Sequence, residues 1–263
     1  MSGRRVAAAG KKSDTSACYV PPSNLTENSV RFPAGELHHL RSVLRLSAGA
    51  LVQVLDGQGG SYEVELVSSG EAGIEGRIIS AEKTEPPLPR LSAAIAVNRT
   101  ERMRITVEKL AELGCHRLVP LITEHISFPG DPAGQAEKLR RVAVSALKQS
   151  RNRFLTAVET PAAFAEFLEL AEREGAIPVF CCKKNLRRDR ELSSGLPEKS
   201  AGAKEFFLAV GPEGGFSARE LELIERSGRP RLHLGESILR SETAAVAGFV
   251  LLRHILCADF GLY

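Results

Sequence analysis

The first third of the chain shows the two-residue alternation of apolar and polar side chains that is typical of short strands. The alternation occurs at 51–54, 62–66 and 74–79, and glycine-containing turns separate these segments. Short strands joined by such turns predict a small β-barrel or sandwich over residues 18–81. One helix, around 36–46, is predicted to interrupt the strands.

From residue 91 onward, apolar strands alternate with helices that carry one apolar face. The strands are predicted at 91–97, 118–122, 177–182, 206–210 and 232–234. The helices are predicted around 100–113, 136–149, 160–174, 217–227 and 242–258. This alternation predicts an α/β domain with a parallel sheet over residues 91–263.

Local signals mark where some of these helices begin. Thr100 can cap a helix, and so can Thr160, which is followed by a proline that suits the first helical position. Ser217 and Glu220 have the spacing of a capping box. The last helix, from Glu242, is apolar nearly all round. Such a helix must be buried on more than one side, either by its own core or by a partner subunit.

Composition sets the boundaries between these regions. Residues 1–17 are basic and rich in small side chains, so they are interpreted as a flexible tail. Three prolines within 82–90 can continue neither a strand ladder nor a helix. The segment 82–90 is therefore predicted to be a linker between two domains.

The overall composition excludes several classes of protein. Of the 263 residues, 43% are hydrophobic and 25% are charged, which excludes disorder throughout. No run approaches about 18 uninterrupted apolar residues, so we predict no membrane-spanning helix and no membrane partner. The five cysteines form no C-x-x-C pair and the six histidines are scattered. We therefore expect no disulfide scaffold and no metal site, and a reducing cytoplasm is the default location.

Positive charge is concentrated in two segments of a chain whose net charge is only +3. Residues 137–153 contain six basic side chains and one acidic one, and residues 183–190 contain five and one. Such clusters suit a polyanionic partner such as nucleic acid, but they also suit a solvated face. Composition alone leaves both interpretations open.

A glycine cluster supplies the main chemical signal. The strand 206–210 runs directly into the loop 211–215, which has three glycines and a proline, and a helix follows. The loop matches no P-loop or dinucleotide fingerprint. In an open parallel sheet such a strand-end loop is where a ligand binds, because glycines let the backbone approach it closely. The segment 234–243 also leaves a strand and enters a helix, so both loops are expected at the same edge.

These two segments carry a resemblance to a known family. GPEGGF at 211–216 together with LGESILRSETA at 234–244 resembles the signature of the bacterial 16S rRNA uracil-N3 methyltransferases, which belong to the knotted SPOUT class. Shorter matches extend the resemblance over roughly 18–258; they lie at 38–45, 49, 56–59, 109–114 and 149–150. The pair of segments is far more specific than either segment alone.

The resemblance implies a fold and a set of partners. It implies an N-terminal PUA-like β-barrel and a C-terminal SPOUT domain whose chain forms a deep trefoil knot, whereas general rules give an unknotted sheet. It further implies S-adenosyl-L-methionine as cofactor, no metal, a homodimer, and 16S rRNA or the small ribosomal subunit as partner. The reaction implied is methyl transfer to N3 of a uracil.

The resemblance also implies site residues. Cofactor contacts are expected from Leu208, Gly211, Pro212, Glu213, Gly214, Gly215, Leu234, Gly235, Ile238, Leu239 and Arg240. Arg240 is the candidate for stabilising the uracil anion, and Glu242 is the candidate proton acceptor, although a glutamate beside an arginine is a weak base. Alternatively the two form a structural pair. Contacts to rRNA phosphates are expected from Arg45, Arg99, Arg102, Lys138, Arg141, Arg151 and Arg153.

Two departures from the family pattern leave details of substrate contact open. The family usually has Arg-Ser where this chain has His125-Ile126, and Glu where it has Lys148. Two alternative functions also remain: methylation of the ribose 2′-oxygen of RNA by a SPOUT enzyme, and non-catalytic binding of rRNA by an assembly factor with a PUA-like module.

Overall fold

The computed structural model describes residues 17–69, 73–125, 132–181 and 202–260, and these form two compact units. The first unit comprises the described residues up to Asp56 together with Gly60–Lys83, and the second comprises Gly57–Gly59 and the chain from Thr84 onward. Most of the predicted tail, as well as the basic cluster at 183–190, lies outside the described residues.

The first unit is built on a five-stranded sheet. Its strands are β1 (Ala17–Tyr19), β2 (Ser29–Arg31), β3 (Leu51–Leu55), β4 (Gly60–Ser69) and β5 (Gly73–Lys83). Their order is β1-β3-β4-β5-β2, with β1 parallel to β3 and the other pairs antiparallel. A short 3-10 turn covers Pro22–Asn24. The helix α1 (Ala34–His38) continues as a π-helical turn over His39–Val43, where the helix was predicted.

One side of this sheet encloses an apolar core. The inward residues of β3 and β4, Val52, Val54, Val64 and Leu66, are almost fully buried, as the alternation of the sequence predicts. Gly76 on β5 faces Val64 so closely that a Cβ atom there would lie 2.2 Å from a Val64 methyl carbon. Glycine is therefore required at this position by packing rather than by a turn.

The second unit is a seven-stranded sheet in which every pair is parallel. Its strands are β6 (Arg90–Ala96), β7 (Arg117–Ile122), β8 (Ala157–Val158), β9 (Ala162–Ala163), β10 (Ile177–Cys181), β11 (Glu205–Val210) and β12 (Arg231–Leu232). The order is β12-β10-β11-β6-β7-β8, and β9 also pairs with β7. The helices are α2 (Thr100–Glu112), α3 (Pro132–Ser150), α4 (Phe164–Arg173), α5 (Ala218–Ser227) and α6 (Ser241–Phe260). The predicted parallel α/β fold is confirmed.

Helices cover both faces of this sheet, which explains why its strands are apolar throughout. Successive side chains of β11 point to opposite faces. Phe206 and Leu208 join the core that α2 and α6 complete, whereas Phe207 and Ala209 join the core beneath α4 and α5. All four side chains are fully buried.

Several predicted boundaries move. The strand β5 runs to Lys83 and β6 begins at Arg90, so only 84–89 joins the two strands. The cap predicted at Thr100 is wrong, because Arg99 is the N-cap and its side chain makes no capping bond. The helix predicted from Thr160 begins at Phe164, because residues 162–163 first extend along β7.

The last helix, α6, is long and apolar. Residues Ser241–Ala258 meet the length and hydropathy of a membrane span, although no uninterrupted apolar run reaches that length, and 39% of this window is buried within the unit. Its inner face, which includes Phe249 and Leu252, packs against β6 and β11 as a core helix does. One helix of this kind is weak evidence for a membrane span.

The trefoil knot that the resemblance implies stays a prediction.

Candidate active site

Because all strands of the second unit are parallel, their carboxyl ends meet at one edge of the sheet. The loops that leave this edge include 97–99 after β6, 123–125 after β7, 211–217 after β11 and 233–240 after β12. The strands β6 and β11 are adjacent, but the chain leaves them in opposite lateral directions. After β6 it continues to β7, and after β11 it continues to β12 at the other end of the sheet. This reversal creates the crevice in which open α/β sheets bind ligands.

Between the loops 211–217 and 233–240 lies a cavity of about 470 Å³, within the usual range for a small-molecule site. It is lined by most of the residues predicted to bind the cofactor, namely Gly211, Pro212, Glu213, Gly214, Gly215, Leu234, Gly235, Ile238 and Leu239. The remaining wall comes from residues that the sequence analysis did not assign, namely Cys181, Val210, Phe216, Leu221, Ser237, Ser241 and Ala244.

Two of the predicted cofactor residues lie outside this wall. The side chain of Leu208 is fully buried on the α6 face of β11, where its methyl carbons come within 3.1 Å of the place that a Cβ of Gly248 would take. Because side chains alternate between the two faces of a strand, that of Leu208 points into the core. Arg240 is exposed, between the lining residues Leu239 and Ser241 in the chain.

The three glycines of the 211–217 loop differ in how far the structure requires glycine at each position. A Cβ on Gly211 would lie 3.1 Å from the Phe216 ring, so packing leaves little room there. Gly215 has φ +78°, a conformation that side chains disfavour. At Gly214, a Cβ would meet only His125, with Nδ1 nearest at 3.7 Å. Packing within the described chain therefore does not require glycine at position 214, which lines the cavity.

Contacts from neighbouring segments hold this loop. Arg102, in the first turn of α2, forms an ion pair with Glu213. His125 follows β7, and its Nδ1 lies 3.0 Å from the carbonyl oxygen of Gly215. Arg102, which was predicted to contact phosphate, is therefore engaged by the glycine loop itself.

The predicted capping box of α5 is confirmed and has an additional role. The backbone N–H of Glu220 donates to Ser217 Oγ (3.1 Å), and the Ser217 N–H donates to Glu220 Oε2 (2.8 Å). The other carboxylate oxygen, Oε1, accepts the backbone N–H of Glu124 at 3.0 Å. Gly228, in the left-handed conformation, ends the helix.

The candidate catalytic pair is not a pair in the structure. Among the described residues, no ion pair joins Arg240 to Glu242; Arg240 is exposed and Glu242 is half-buried. Ser241, between them, is buried and accepts a hydrogen bond from Asn98 Nδ2 at 2.6 Å, while its own hydroxyl lies 3.4 Å from Glu242 Oε2. Ser241 therefore links the end of β6 to the start of α6.

A thiol also lines the cavity. Cys181 ends β10, and burial raises its pKa to about 11. The thiol is therefore protonated at neutral pH, and thiolate chemistry is not a role for it.

Comparison with known sequences decides the family. The sequence model of the RNA methyltransferase domain matches residues 84–253, and that of the RNA methyltransferase PUA domain matches 32–79. The chain belongs to the RNA methyltransferase family. The matched domain contains the loops 211–217 and 233–240 and the cavity between them, and the second match falls in the first structural unit.

Individual relatives agree with this membership. The ribosomal RNA small subunit methyltransferase E of Synechocystis is 28% identical over 237 residues, which cover 90% of this chain and 77% of that protein. The crystal structure of the Neisseria gonorrhoeae protein of the same name, bound to S-adenosyl methionine, superposes with a TM-score of 0.78 at 24% identity, covering 91% and 97% of the two chains. A predicted RNA methyltransferase from Thermotoga maritima superposes at 0.66 with 27% identity, covering 91% and 99%.

The arginines and lysine predicted to contact RNA are spread over this RNA methyltransferase. Arg99 is exposed at the start of α2, at the same edge as the cavity. Arg151 follows the far end of α3, a helix whose 19 residues span about 28 Å, so it lies toward the opposite edge. Arg153 is half-buried and donates from Nη1 to Thr84 Oγ1 at 2.8 Å. Lys138 and Arg141 are exposed on α3, and Arg45 is exposed in the first unit.

Proposed function

We propose that this enzyme transfers the methyl group of S-adenosyl-L-methionine to N3 of a uracil in 16S rRNA of the small ribosomal subunit. The observation that carries the proposal is the cavity between loops 211–217 and 233–240 at the carboxyl edge of an RNA methyltransferase domain. The names of the relatives support small-subunit rRNA as the substrate, and the cofactor bound to the Neisseria structure supports S-adenosylmethionine.

The residues of the cavity fit this cofactor. Apolar side chains, among them Leu234, Ile238 and Leu239, offer a surface for an adenine ring, and the glycines of the 211–217 loop bring backbone groups to the cavity wall. The hydroxyls of Ser237 and Ser241 provide polar contacts. When bound, S-adenosylmethionine supplies a methyl group on a positively charged sulfur, a good leaving group that needs no metal.

The chain's own catalytic task is to make the uracil nucleophilic. Uracil N3 carries a proton at neutral pH, and its loss leaves an anion that a cation or N–H donors must stabilise. The exposed guanidinium of Arg240 is the group we assign to this anion. Glu242 is the assigned proton acceptor, and its freedom from an ion pair with Arg240 within the described chain favours these roles over the structural pairing.

The substrate imposes further requirements. A base stacked within RNA exposes N3 only after it leaves its stack, so the target uridine must be extruded toward the cavity. Arg99, at the same edge, is placed to contact the flanking phosphates. We further propose that the enzyme acts in the cytoplasm, as a homodimer, with the first unit as an additional RNA contact.

The test is to incubate the purified chain with S-adenosylmethionine and small subunits that lack the modification, then to digest the rRNA and identify the new nucleoside by tandem mass spectrometry. Fragmentation shows whether the added methyl group stays with the base or with the ribose, which the mass of the intact nucleoside does not. The expected product is N3-methyluridine. Appearance of a 2′-O-methylated nucleoside would reassign the chemistry to ribose. Binding of rRNA with no methylation and no affinity for S-adenosylmethionine would instead identify an assembly factor.

A further inference from the structure

Glu220 is a buried carboxylate, which is rare for a glutamate side chain. Only 3% of the residue is exposed, although its neighbours Ala218, Arg219 and Glu222 on α5 are exposed. Burying a carboxylate costs free energy unless hydrogen bonds satisfy its oxygens. Both oxygens are satisfied, by the backbone N–H groups of Ser217 and Glu124.

Capping of the helix accounts for only one of these bonds. In a capping box, one carboxylate oxygen receives the N-cap N–H, and here Oε2 receives that of Ser217. The bond from Oε1 to Glu124 is not part of the capping box. It joins α5 to a residue 96 positions earlier in the chain, just beyond the end of β7.

The same segment after β7 makes a second contact with the glycine loop. A carbonyl oxygen can only accept, so the Nδ1 of His125 must carry the proton in its 3.0 Å bond to Gly215. Residues 124 and 125 thus contact this part of the chain at two points, Glu124 through Glu220, which follows the loop, and His125 at Gly215 within it. We call Glu124, His125 and Glu220 the clasp.

We propose that Glu220 is a positioning residue for cofactor binding, which acts by fastening the 211–217 loop to residues 124–125 and so presenting the backbone of Gly214 and Gly215 to the cavity. The identity of the ligand rests on the proposed function. The clasp preorganises the loop, so less ordering of the chain is needed when the ligand binds. His125 supplies the second contact of the clasp, at a position where the resembled family usually has arginine.

The test compares Glu220→Gln with Glu222→Gln. The amide has the shape of the carboxylate but carries one acceptor oxygen, so one of the two N–H contacts is lost. Glu222 is exposed on the same helix, which makes it a matched control. We expect Glu220→Gln to weaken S-adenosylmethionine binding on the order of tenfold by calorimetry, the effect of losing one charge-assisted hydrogen bond. Glu222→Gln is expected to bind like the wild type.

A third variant separates positioning from helix capping. Ser217→Ala removes the hydroxyl that caps α5 but leaves the backbone N–H of residue 217 and the bond from Glu124 in place. If Glu220 only caps the helix, Ser217→Ala and Glu220→Gln should lower stability alike and leave cofactor affinity unchanged. That result would overturn the proposal.

His125→Ala tests the second contact. Because both residues hold the same loop, the affinity losses of His125→Ala and Glu220→Gln should be non-additive in the double variant. Strict additivity would show that the two contacts act independently, and the clasp as a unit would be rejected.

Hydrogen exchange gives a readout that needs no ligand. Without cofactor, the amides of Glu124 and of 213–217 should exchange faster in Glu220→Gln than in Glu222→Gln. Equal exchange in the two variants would overturn the proposal even if the wild type binds S-adenosylmethionine. Failure of the wild type to bind this cofactor, with the exchange difference present, would instead reject the proposed ligand and retain the clasp.

Discussion

At the scale of single residues, Arg240 is the side chain whose role is most open to a decisive test. Its guanidinium is exposed beside the cavity, and within the described part of the chain it is not neutralised by Glu242. We expect Arg240→Ala to lower the single-turnover methylation rate on the order of 10²-fold or more, as for loss of one preorganised charge-stabilising group. Rapid-quench kinetics at saturating cofactor and RNA measure this rate.

The controls for Arg240 are cofactor affinity and stability. Both should change little in Arg240→Ala, because the side chain is exposed and does not line the cavity. A methylation rate near that of the wild type would remove Arg240 from catalysis and leave backbone donors of the two loops to stabilise the anion. Loss of cofactor binding or of stability would indicate a structural role.

Arg151 allows its charge to be removed without new backbone strain. It is exposed directly after α3 with φ +57°, a left-handed conformation that disfavours side chains but suits glycine. Arg151→Gly therefore deletes the guanidinium while keeping a compatible backbone. If Arg151 contacts a phosphate, the slope of log affinity for rRNA against log salt should fall by about 1 in magnitude.

A filter-binding titration over a range of salt concentrations measures this slope. Arg153 serves as the comparison for the salt dependence of Arg151→Gly. Its guanidinium donates to Thr84 Oγ1, so a substitution there also removes that contact. A slope and affinity unchanged in Arg151→Gly would exclude this residue from the RNA interface.

At the scale of elements, the glycine loop 211–217 is the segment that makes the cavity a binding site. Gly214 is the position to alter, because a Cβ there meets no atom closer than 3.7 Å, whereas Gly211 is crowded by Phe216 and Gly215 has positive φ. Gly214→Val should therefore leave the chain folded while it adds a branched side chain to a loop whose backbone lines the cavity. We expect no measurable S-adenosylmethionine binding by calorimetry.

Gly35 in α1 is the control for this substitution. A Cβ on Gly35 also meets nothing within 4 Å, and it lies in the other structural unit. Gly35→Val should bind the cofactor like the wild type. Unchanged affinity in Gly214→Val, with circular dichroism showing a folded chain, would mean that the cofactor does not approach this loop.

At the scale of the whole molecule, the outer face of α6 is where we expect a partner. Its inner face is packed on the sheet, but Val250 and Leu251 are 48% and 38% exposed. Exposed apolar residues on a helix of 20 residues are the basis of this expectation. We expect a homodimer through α6, and Leu251→Glu should convert it to a folded monomer in sedimentation equilibrium at micromolar concentration.

The matched control is Ile79→Glu, which places the same charge on an exposed apolar residue of the first unit. It should remain a dimer. A wild-type chain that sediments as a monomer would contradict the prediction, and a wild-type chain that binds lipid vesicles through α6 would give the apolar face a different partner.

The sequence alone predicted most of the elements and the edge of the sheet at which the cavity lies, because these depend on local patterns. Alternation along β3, β4 and β5 follows from the pleat of a strand, and the capping box at Ser217 and Glu220 needs only four consecutive residues. The loops after β11 and β12 were informative because parallel strands bring their carboxyl ends together. The helix predicted from Thr160 failed because pairing of 162–163 with β7 outweighed a local capping signal.

Only the tertiary structure decided which distant residues meet at the site. Glu220 reaches Glu124 and Asn98 reaches Ser241 across 96 and 143 positions of the chain, and no local pattern encodes such contacts. Cys181 enters the cavity wall because β10 lies beside β11 in the sheet. Arg240 and Glu242, two positions apart, looked like a pair in the sequence. They do not pair because α6 begins at Ser241, between them, and Asn98 holds Ser241. Arg240 therefore belongs to the loop before the helix, whereas Glu242 belongs to the first turn of the helix.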